Sequence, residues 1–156
     1  MTKLITSELL RIVDQAPNWE TAIRIAAESL LANHYINDAY VESMIQNVRD
    51  LGPYIVLAPN VAVPHARPDG NVNRMGISLT KFKQPVNFRN EQEDEDNWVS
   101  LIFCLAAVDA SSHLVALQQL GSILDSDEVI DQLIAADNED QLLAIINTKL
   151  EEDLDD

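Results

Sequence analysis

The 156-residue chain has little cysteine, few basic residues and no long apolar run, and each shortage excludes a class of protein. Its single cysteine has no partner in the chain for a disulfide. No apolar run approaches the roughly 20 residues that a membrane-spanning helix needs, so direct insertion into a membrane is not expected. The first residues turn polar at once and do not resemble a secretion signal. We therefore expect a protein of the cytoplasm.

Basic residues are outnumbered, since ten lysines and arginines stand against 26 aspartates and glutamates, a formal net charge of −16. A negative surface repels nucleic acid and attracts basic proteins, so no nucleic-acid partner is expected. Acidic residues are concentrated at 91–96 and 151–156, and such runs are typical of solvated segments. With no repeat or linker to divide the rest, the sequence predicts one domain at 1–150 followed by an acidic tail at 151–156.

Apolar spacing predicts both helices and strands. Steps of three and four residues predict helices at about 18–33, 37–52, 109–124, 128–135 and 139–150. In the third of these, the predicted inward stripe is Leu114, Leu117, Leu120, Gly121 and Leu124. Apolar and β-branched runs predict strands at 54–58, 61–63 and 75–82, the last of them ended by Pro85. The segment 9–13 is either a first strand or the end of a leading helix.

The run 98–108 is almost continuously apolar, which is typical of a central strand covered on both faces. Strands enclosed by helices at both ends of the chain indicate an α/β fold. We therefore predict a single mixed β-sheet flanked by helices on both faces, a three-layer sandwich.

The stretch 52–68, GPYIVLAPNVAVPHARP, contains two short apolar runs punctuated by prolines. A proline removes a backbone donor and fixes φ, so Pro64 and Pro68 should stop the preceding strand and stiffen the turn between them. That turn carries His65 and Arg67. A stiff, exposed turn is a suitable position for a reactive side chain.

The three histidines are not equivalent. His34 follows a predicted helix, where a structural role is typical. His65 and His113 follow predicted strands, where α/β folds place ligand sites, and His113 falls in the first turn of a helix, which favours an anion. Two imidazoles with an arginine suit either a metal or phosphoryl transfer. No third metal ligand stands at ligand spacing, so we expect no metal, whereas a neutral imidazole can attack phosphorus while a guanidinium neutralises its oxygens.

Other chemistries have less support. Cys104 lies in the apolar run 98–108, where burial disfavours the thiolate, so we interpret it as a core residue. The sequence contains no P-loop, no Gly-rich dinucleotide turn and no Gly-x-Ser-x-Gly elbow. Any phosphate must therefore arrive already activated, and no cofactor is expected.

The pattern VAVPHA at 61–66, preceded by Tyr40 and Arg49 and followed by HLxxLxxL from His113, resembles the mannitol/fructose-type enzyme IIA family of the bacterial sugar phosphotransferase system. The resemblance covers nearly the whole chain. The blocks GPYxVLAP at 52–59, PHxRP at 64–68 and AAVDAxxH at 106–113 look most like the L-ascorbate-type branch. Ala66 stands where mannitol members often have glycine, which argues against a mannitol or fructose assignment more than against phosphotransfer.

The resemblance implies a phosphocarrier, a phosphotransferase that needs neither metal nor cofactor. His65 would accept a phosphoryl group on Nε2 from phospho-HPr and pass it to a cysteine of a partner IIB protein, for uptake of L-ascorbate. His113 would lie beside His65, and Arg49 would close the pocket. From the branch pattern we add Arg67 as a phosphate-binding residue.

Two other hypotheses stay open. The chain could be a regulatory IIA-like module whose phosphorylation state controls a partner protein. It could also be a histidine-dependent phosphoesterase, which would release inorganic phosphate.

Overall fold

The computed structural model describes residues 4–52, 55–67, 69–89 and 95–155. A short 3-10 helix at Ser7–Leu9 precedes the first strand. The strands are β1 Leu10–Val13, β2 Val56–Ala58, β3 Asn60–Ala62, β4 Gly76–Asn87 and β5 Trp98–Ala106. The helices are α1 Trp19–Ala32, α2 Asp38–Leu51, α3 Ala110–Leu124, α4 Asp127–Ala135 and α5 Glu139–Asp155.

The strands form one mixed sheet in the order β1-β4-β5-β3-β2. The β1–β4 and β3–β5 pairs are parallel, and the β4–β5 and β2–β3 pairs are antiparallel. The run predicted as a central strand is β5, in the middle of the sheet. The prediction of a single mixed α/β sheet is confirmed.

Side chains of β5 alternate between two hydrophobic cores, as the period of two in a strand requires. Ile102 and Cys104 join the core formed with α1 and α2. Leu101 and Phe103 join the core formed with α3, α4 and α5. Helices therefore cover both faces of the sheet, which confirms the three-layer arrangement.

Side-chain caps fix where the helices near the sheet begin. Asn18 accepts a hydrogen bond from the Thr21 N–H at 2.8 Å and starts α1, as predicted. Asn37 caps α2 in the same way. At the other end of α2, Gly52 adopts φ 85°, a left-handed conformation that glycine takes without steric cost. The chain thus leaves α2 at the predicted residue and turns toward β2.

Two sequence predictions need correction, and the structure decides one open alternative. Pro85 does not end a strand, because β4 continues to Asn87 and the proline sits exposed in an irregular stretch between Lys81 and Val86, where a ladder donor is not needed. Of the two alternatives left open for the segment 9–13, the first strand is confirmed, since β1 runs from Leu10 to Val13. Leu114 is 58% exposed, so it does not belong to the inward stripe of α3. Leu120 is buried as predicted, Leu117 and Leu124 pack partly buried against the core, and the stripe also includes Ala116 and Ile123.

The last helix is longer than predicted, since the backbone of α5 stays helical to Asp155 and not only to residue 150. The predictions that involve Pro53, Tyr54, Pro68 and the acidic residues 91–94 lie outside the described residues. Among the helices of the described ranges, none combines the length and apolarity needed to cross a membrane.

Candidate active site

His65 and His113 meet at one edge of the sheet. His65 follows β3, and His113 lies in the first turn of α3, which follows β5. Because β3 and β5 are parallel neighbours, their carboxyl ends lie at the same edge. The two half-buried rings are 5.6 Å apart between centroids and stand edge to face at 77°. The predicted pair of histidines is therefore brought together in space.

One hydrogen bond defines the chemistry of His65. Its Nδ1 lies 2.7 Å from the carbonyl oxygen of Val63. A carbonyl only accepts hydrogen bonds, so Nδ1 carries the proton of the neutral ring and Nε2 carries the lone pair. In this tautomer Nε2 is the nucleophilic atom of His65.

The turn before His65 is tied to the sheet on both sides. The Val63 N–H donates to the Ile55 carbonyl at 2.8 Å, and the Leu105 N–H donates to the Pro64 carbonyl at 3.1 Å. These two hydrogen bonds fix the backbone where it enters His65.

The start of α3 is fixed by a capping box. The Asp109 carboxylate accepts from the Ser112 N–H at 2.8 Å, and the Ser112 hydroxyl accepts from the Asp109 N–H at 3.1 Å. Hydrogen bonds from Ser112 hold the pKa of Asp109 below its ordinary value. The preference of this helix N-terminus for an anion is thus already met by Asp109, and His113 is held in the first turn beside it.

The two histidines open into a cleft of about 700 Å³. One wall is the turn after β3, with Ala66, Arg67 and Asp69, and the opposite wall is α2. Four-residue spacing brings Ser43, Asn47 and Leu51 onto the face of α2 that lines the cleft. Ser43 and Asn47 were missed by the sequence analysis.

Arg67 lines this cleft, whereas Arg49 does not belong to its described lining. Arg49 lies two residues from Asn47, about 200° around the helix. Its guanidinium forms an ion pair with Glu20 of α1. On the same flank of α2, Glu42 pairs with Arg24 of α1 at 2.6 Å. The structure therefore brings together His65, His113 and Arg67, and it pairs Arg49 with the neighbouring helix.

The surroundings of His34 and Cys104 indicate structural roles for both residues. His34 is exposed after α1 with φ 63°, and its carbonyl accepts from the Asn73 side chain at 3.2 Å. Burial raises the pKa of the Cys104 thiol to about 12, so this residue is part of the core, as predicted. Within the described ranges no group of three or more His, Cys, Asp and Glu side chains is placed to hold a metal ion. A groove of about 440 Å³ between α4 and α5 is lined by neither histidine nor arginine.

Burial lowers the pKa of His113 below its ordinary value of 6.5, and repulsion from the nearby His65 ring whenever that ring is protonated lowers it further. His113 is therefore mainly neutral at pH 7. We expect His65→Gln to raise the titration midpoint of His113 toward 6.5, because it removes one of these two causes. An NMR titration of the His113 ring protons measures this midpoint, with His34→Gln as the control that leaves it unchanged. A midpoint unaffected by His65→Gln would contradict electrostatic contact between the two rings.

The chain is similar in sequence to known proteins. Residues 3–149 match the family model described as "Phosphoenolpyruvate-dependent sugar phosphotransferase system, EIIA 2". The ascorbate-specific phosphotransferase system EIIA component of Escherichia coli (strain K12) is 31% identical over 145 residues, which cover 92% of each chain.

Two solved structures also share the fold. The solution structure of the mannitol-specific cryptic phosphotransferase enzyme IIA from Escherichia coli is 36% identical, with a TM-score of 0.82 over 92% of this chain and 95% of that one. A complex of mannitol enzyme IIA with phosphorylated enzyme IIB from Escherichia coli is 25% identical, with a TM-score of 0.77 over 93% and 99% of the chains.

Proposed function

Because the chain belongs to the type 2 enzyme IIA family of the phosphoenolpyruvate-dependent sugar phosphotransferase system, we propose that it is a phosphocarrier whose acceptor atom is Nε2 of His65. Enzyme IIA components are phosphotransferases. The observation that carries the proposal is the hydrogen bond from Nδ1 of His65 to the Val63 carbonyl, which leaves the lone pair on Nε2.

Two transfers make up the proposed reaction. In the first, the Nε2 lone pair of His65 attacks the phosphorus of phospho-HPr, a new N–P bond forms, and the old N–P bond breaks with its electron pair returning to the donor imidazole. In the second, a IIB thiolate attacks the same phosphorus and the electron pair returns to Nε2. Both transfers pass through a loose transition state whose oxygens need positive charge.

Partner proteins of two kinds are proposed, phospho-HPr and a cognate IIB protein. A relative of this chain has been solved with phosphorylated IIB, which supports the second. Leu51 on the cleft wall is 67% exposed, and Leu114 beside His113 is 58% exposed, so apolar surface is available around the cleft for a docking protein. The net charge of −16 would steer a basic donor face toward it. Since the one cysteine is buried and unpaired, we place this relay in the cytoplasm.

L-ascorbate is the sugar that we propose, on the strength of the sequence blocks around His65 and His113. The ascorbate-specific relative supports this choice, and the mannitol-specific relative makes mannitol the alternative. An enzyme IIA does not bind the sugar in this proposal, so its specificity is for the IIB protein. Labelled chain offered equal amounts of ascorbate-type and mannitol-type IIB should phosphorylate the ascorbate type first, and a preference for the mannitol type would overturn the assignment.

The relay itself is tested with ³²P-labelled phospho-HPr, this chain and a purified IIB protein. We expect label on the chain that then moves to IIB. Label that reaches the chain but no IIB protein would favour the regulatory module. Rapid release of inorganic phosphate in the absence of IIB would favour the phosphoesterase. Absence of label on the chain would overturn the proposal.

Arg67 is proposed as the phosphate-binding cation because it lines the cleft beside His65. We expect Arg67→Gln to slow phosphoryl transfer about tenfold, the lower end of the range for a hydrogen bond to a charged group, because Arg67 is exposed. Arg67→Lys should restore part of the rate, since it keeps the charge without the planar fork. Initial rates of labelling measure both variants.

Arg49→Gln is the matched comparison, because it removes an equal charge from a residue that pairs with Glu20. The resemblance implies that Arg49 closes the pocket, whereas phosphate binding by Arg67 is our addition from the branch pattern. A larger loss of rate with Arg49→Gln than with Arg67→Gln would reverse this choice.

A further inference from the structure

Tyr40 links α2 to the turn that carries His65. Its side chain is 1% exposed. The hydroxyl donates a hydrogen bond to the Leu105 carbonyl at 2.5 Å and accepts one from the Ala66 N–H at 3.2 Å. Ala66 directly follows His65, so the tyrosine fixes the backbone on the side of the histidine that leads away from the sheet.

Leu105 completes the arrangement from the other side of His65. Its N–H donates to the carbonyl of Pro64, the residue before the histidine, at 3.1 Å. Leu105 therefore holds both peptide groups that flank His65. It hydrogen-bonds the Pro64 carbonyl directly, and it is connected to the Ala66 N–H through the Tyr40 hydroxyl. The strand β5 leads into α3 and His113, so Leu105 fixes the position of the His65 turn relative to the element that carries His113.

The Tyr40 hydroxyl thus connects three elements of the site. Tyr40 belongs to α2, whose Ser43 and Asn47 line the cleft one and two turns further on. Ala66 belongs to the turn after β3, and Leu105 belongs to β5. A buried hydroxyl that both donates and accepts is costly to remove, because the Ala66 N–H loses its acceptor in a buried position.

We infer that Tyr40 is a positioning residue for the phosphoryl transfer, which aims Nε2 of His65 by fixing the Ala66 peptide against the central strand. The inference rests on the proposed function. The described hydrogen bonds of its hydroxyl go to backbone groups of Leu105 and Ala66, so Tyr40 acts through the backbone. Its loss should lower the maximal transfer rate and leave the affinity for the donor protein unchanged, because the exposed docking surface stays intact.

Tyr40→Phe removes the hydroxyl and keeps the ring. We expect its transfer rate at saturating phospho-HPr to fall about tenfold with an unchanged half-saturating concentration, since small misplacements of a reacting group are costly. Tyr35→Phe is the control, because Tyr35 is also buried and its hydroxyl has no hydrogen-bond partner among the described residues. Rates are compared at a temperature at which both variants are folded by circular dichroism.

NMR of the His65 ring nitrogens provides a readout that a purely structural role would not move. Wild type and Tyr35→Phe should hold the proton on Nδ1, and Tyr40→Phe should show a mixture of tautomers as the turn loosens. Equal rates and tautomers in Tyr40→Phe and wild type would overturn the inference, and so would an equal loss of rate in Tyr35→Phe.

Amide hydrogen exchange in the wild-type chain tests the inference even if Tyr40→Phe does not fold. The Ala66 N–H should exchange slowly although it lies in a turn, and exchange at the rate of an unstructured peptide would overturn the inference. Failure of the proposed function can be distinguished from failure of this inference. If the proposed function fails, the wild-type chain is not labelled, whereas the tautomer of His65 and the exchange rate of the Ala66 N–H still report on Tyr40.

Discussion

Replacing His65 by alanine should abolish the proposed labelling of this chain by phospho-HPr. The substitution removes the only nucleophilic atom that this chain supplies to the proposed relay. The neighbouring His113 should not substitute for it, because its ring centroid lies 5.6 Å from that of His65 and is held by a different element. Incubation with ³²P-labelled phospho-HPr, followed by electrophoresis and counting, measures the labelled fraction. We expect the signal of His65→Ala to stay at the background of a reaction without the chain.

His34→Ala is the control for a histidine lost elsewhere. His34 is exposed after α1, and its side chain has no part in the cleft. Its labelling should equal that of wild type. Full labelling of His65→Ala would contradict the proposed acceptor, and the labelled residue would then have to be found by peptide mapping.

Much of the fold is readable from the sequence because its determinants are local. Asn18 and Gly52 mark helix ends through side-chain capping and a left-handed backbone, and both are where the sequence predicts them. The apolar run of β5 identifies the middle of the sheet, since only a strand covered on both faces can be apolar throughout. Pro85 is different, because a proline is compatible with a strand wherever its missing donor faces an irregularity, and spacing alone does not reveal the irregularity.

The site is only partly readable for a physical reason that α2 illustrates. Its buried stripe includes Val41, Ile45 and Val48, and the residues at 47 and 49 flank that stripe on opposite sides. Helical periodicity identifies the stripe but does not say which flank faces α1 and which faces the turn after β3. That choice depends on how α2 packs on the sheet, and it separates Asn47 in the cleft from Arg49 beside Glu20.

Replacing His113 by glutamine should affect the two half-reactions unequally. In the first, a neutral imidazole attacks phosphorus and meets no anionic repulsion. In the second, an anionic thiolate approaches a phosphoryl group that is already negative, so a nearby positive charge matters more. In the proposed phosphorylated state, phosphate on His65 would raise the pKa of the adjacent His113 and favour its protonation, whereas in the unphosphorylated chain burial and His65 hold that pKa down.

We therefore expect His113→Gln to accept phosphate within a few-fold of the wild-type rate and to pass it to IIB at least about tenfold more slowly, a modest value for a positioned proton donor or cation. Quench-flow measurement of each half-reaction separates the two rates, and the accepting step serves as the internal control for folding.

The pH dependence of the transfer to IIB provides a second test of the role of His113. Transfer to IIB by wild type should lose the contribution of His113 as the pH rises through the pKa of this residue in the phosphorylated chain, because the ring then becomes neutral. His113→Gln has no such group to lose, so the ratio of the wild-type rate to the variant rate should shrink with rising pH. A ratio that stays constant from pH 6 to pH 9 would contradict a protonated His113 in the second transfer and leave it a role by neutral hydrogen bonding alone.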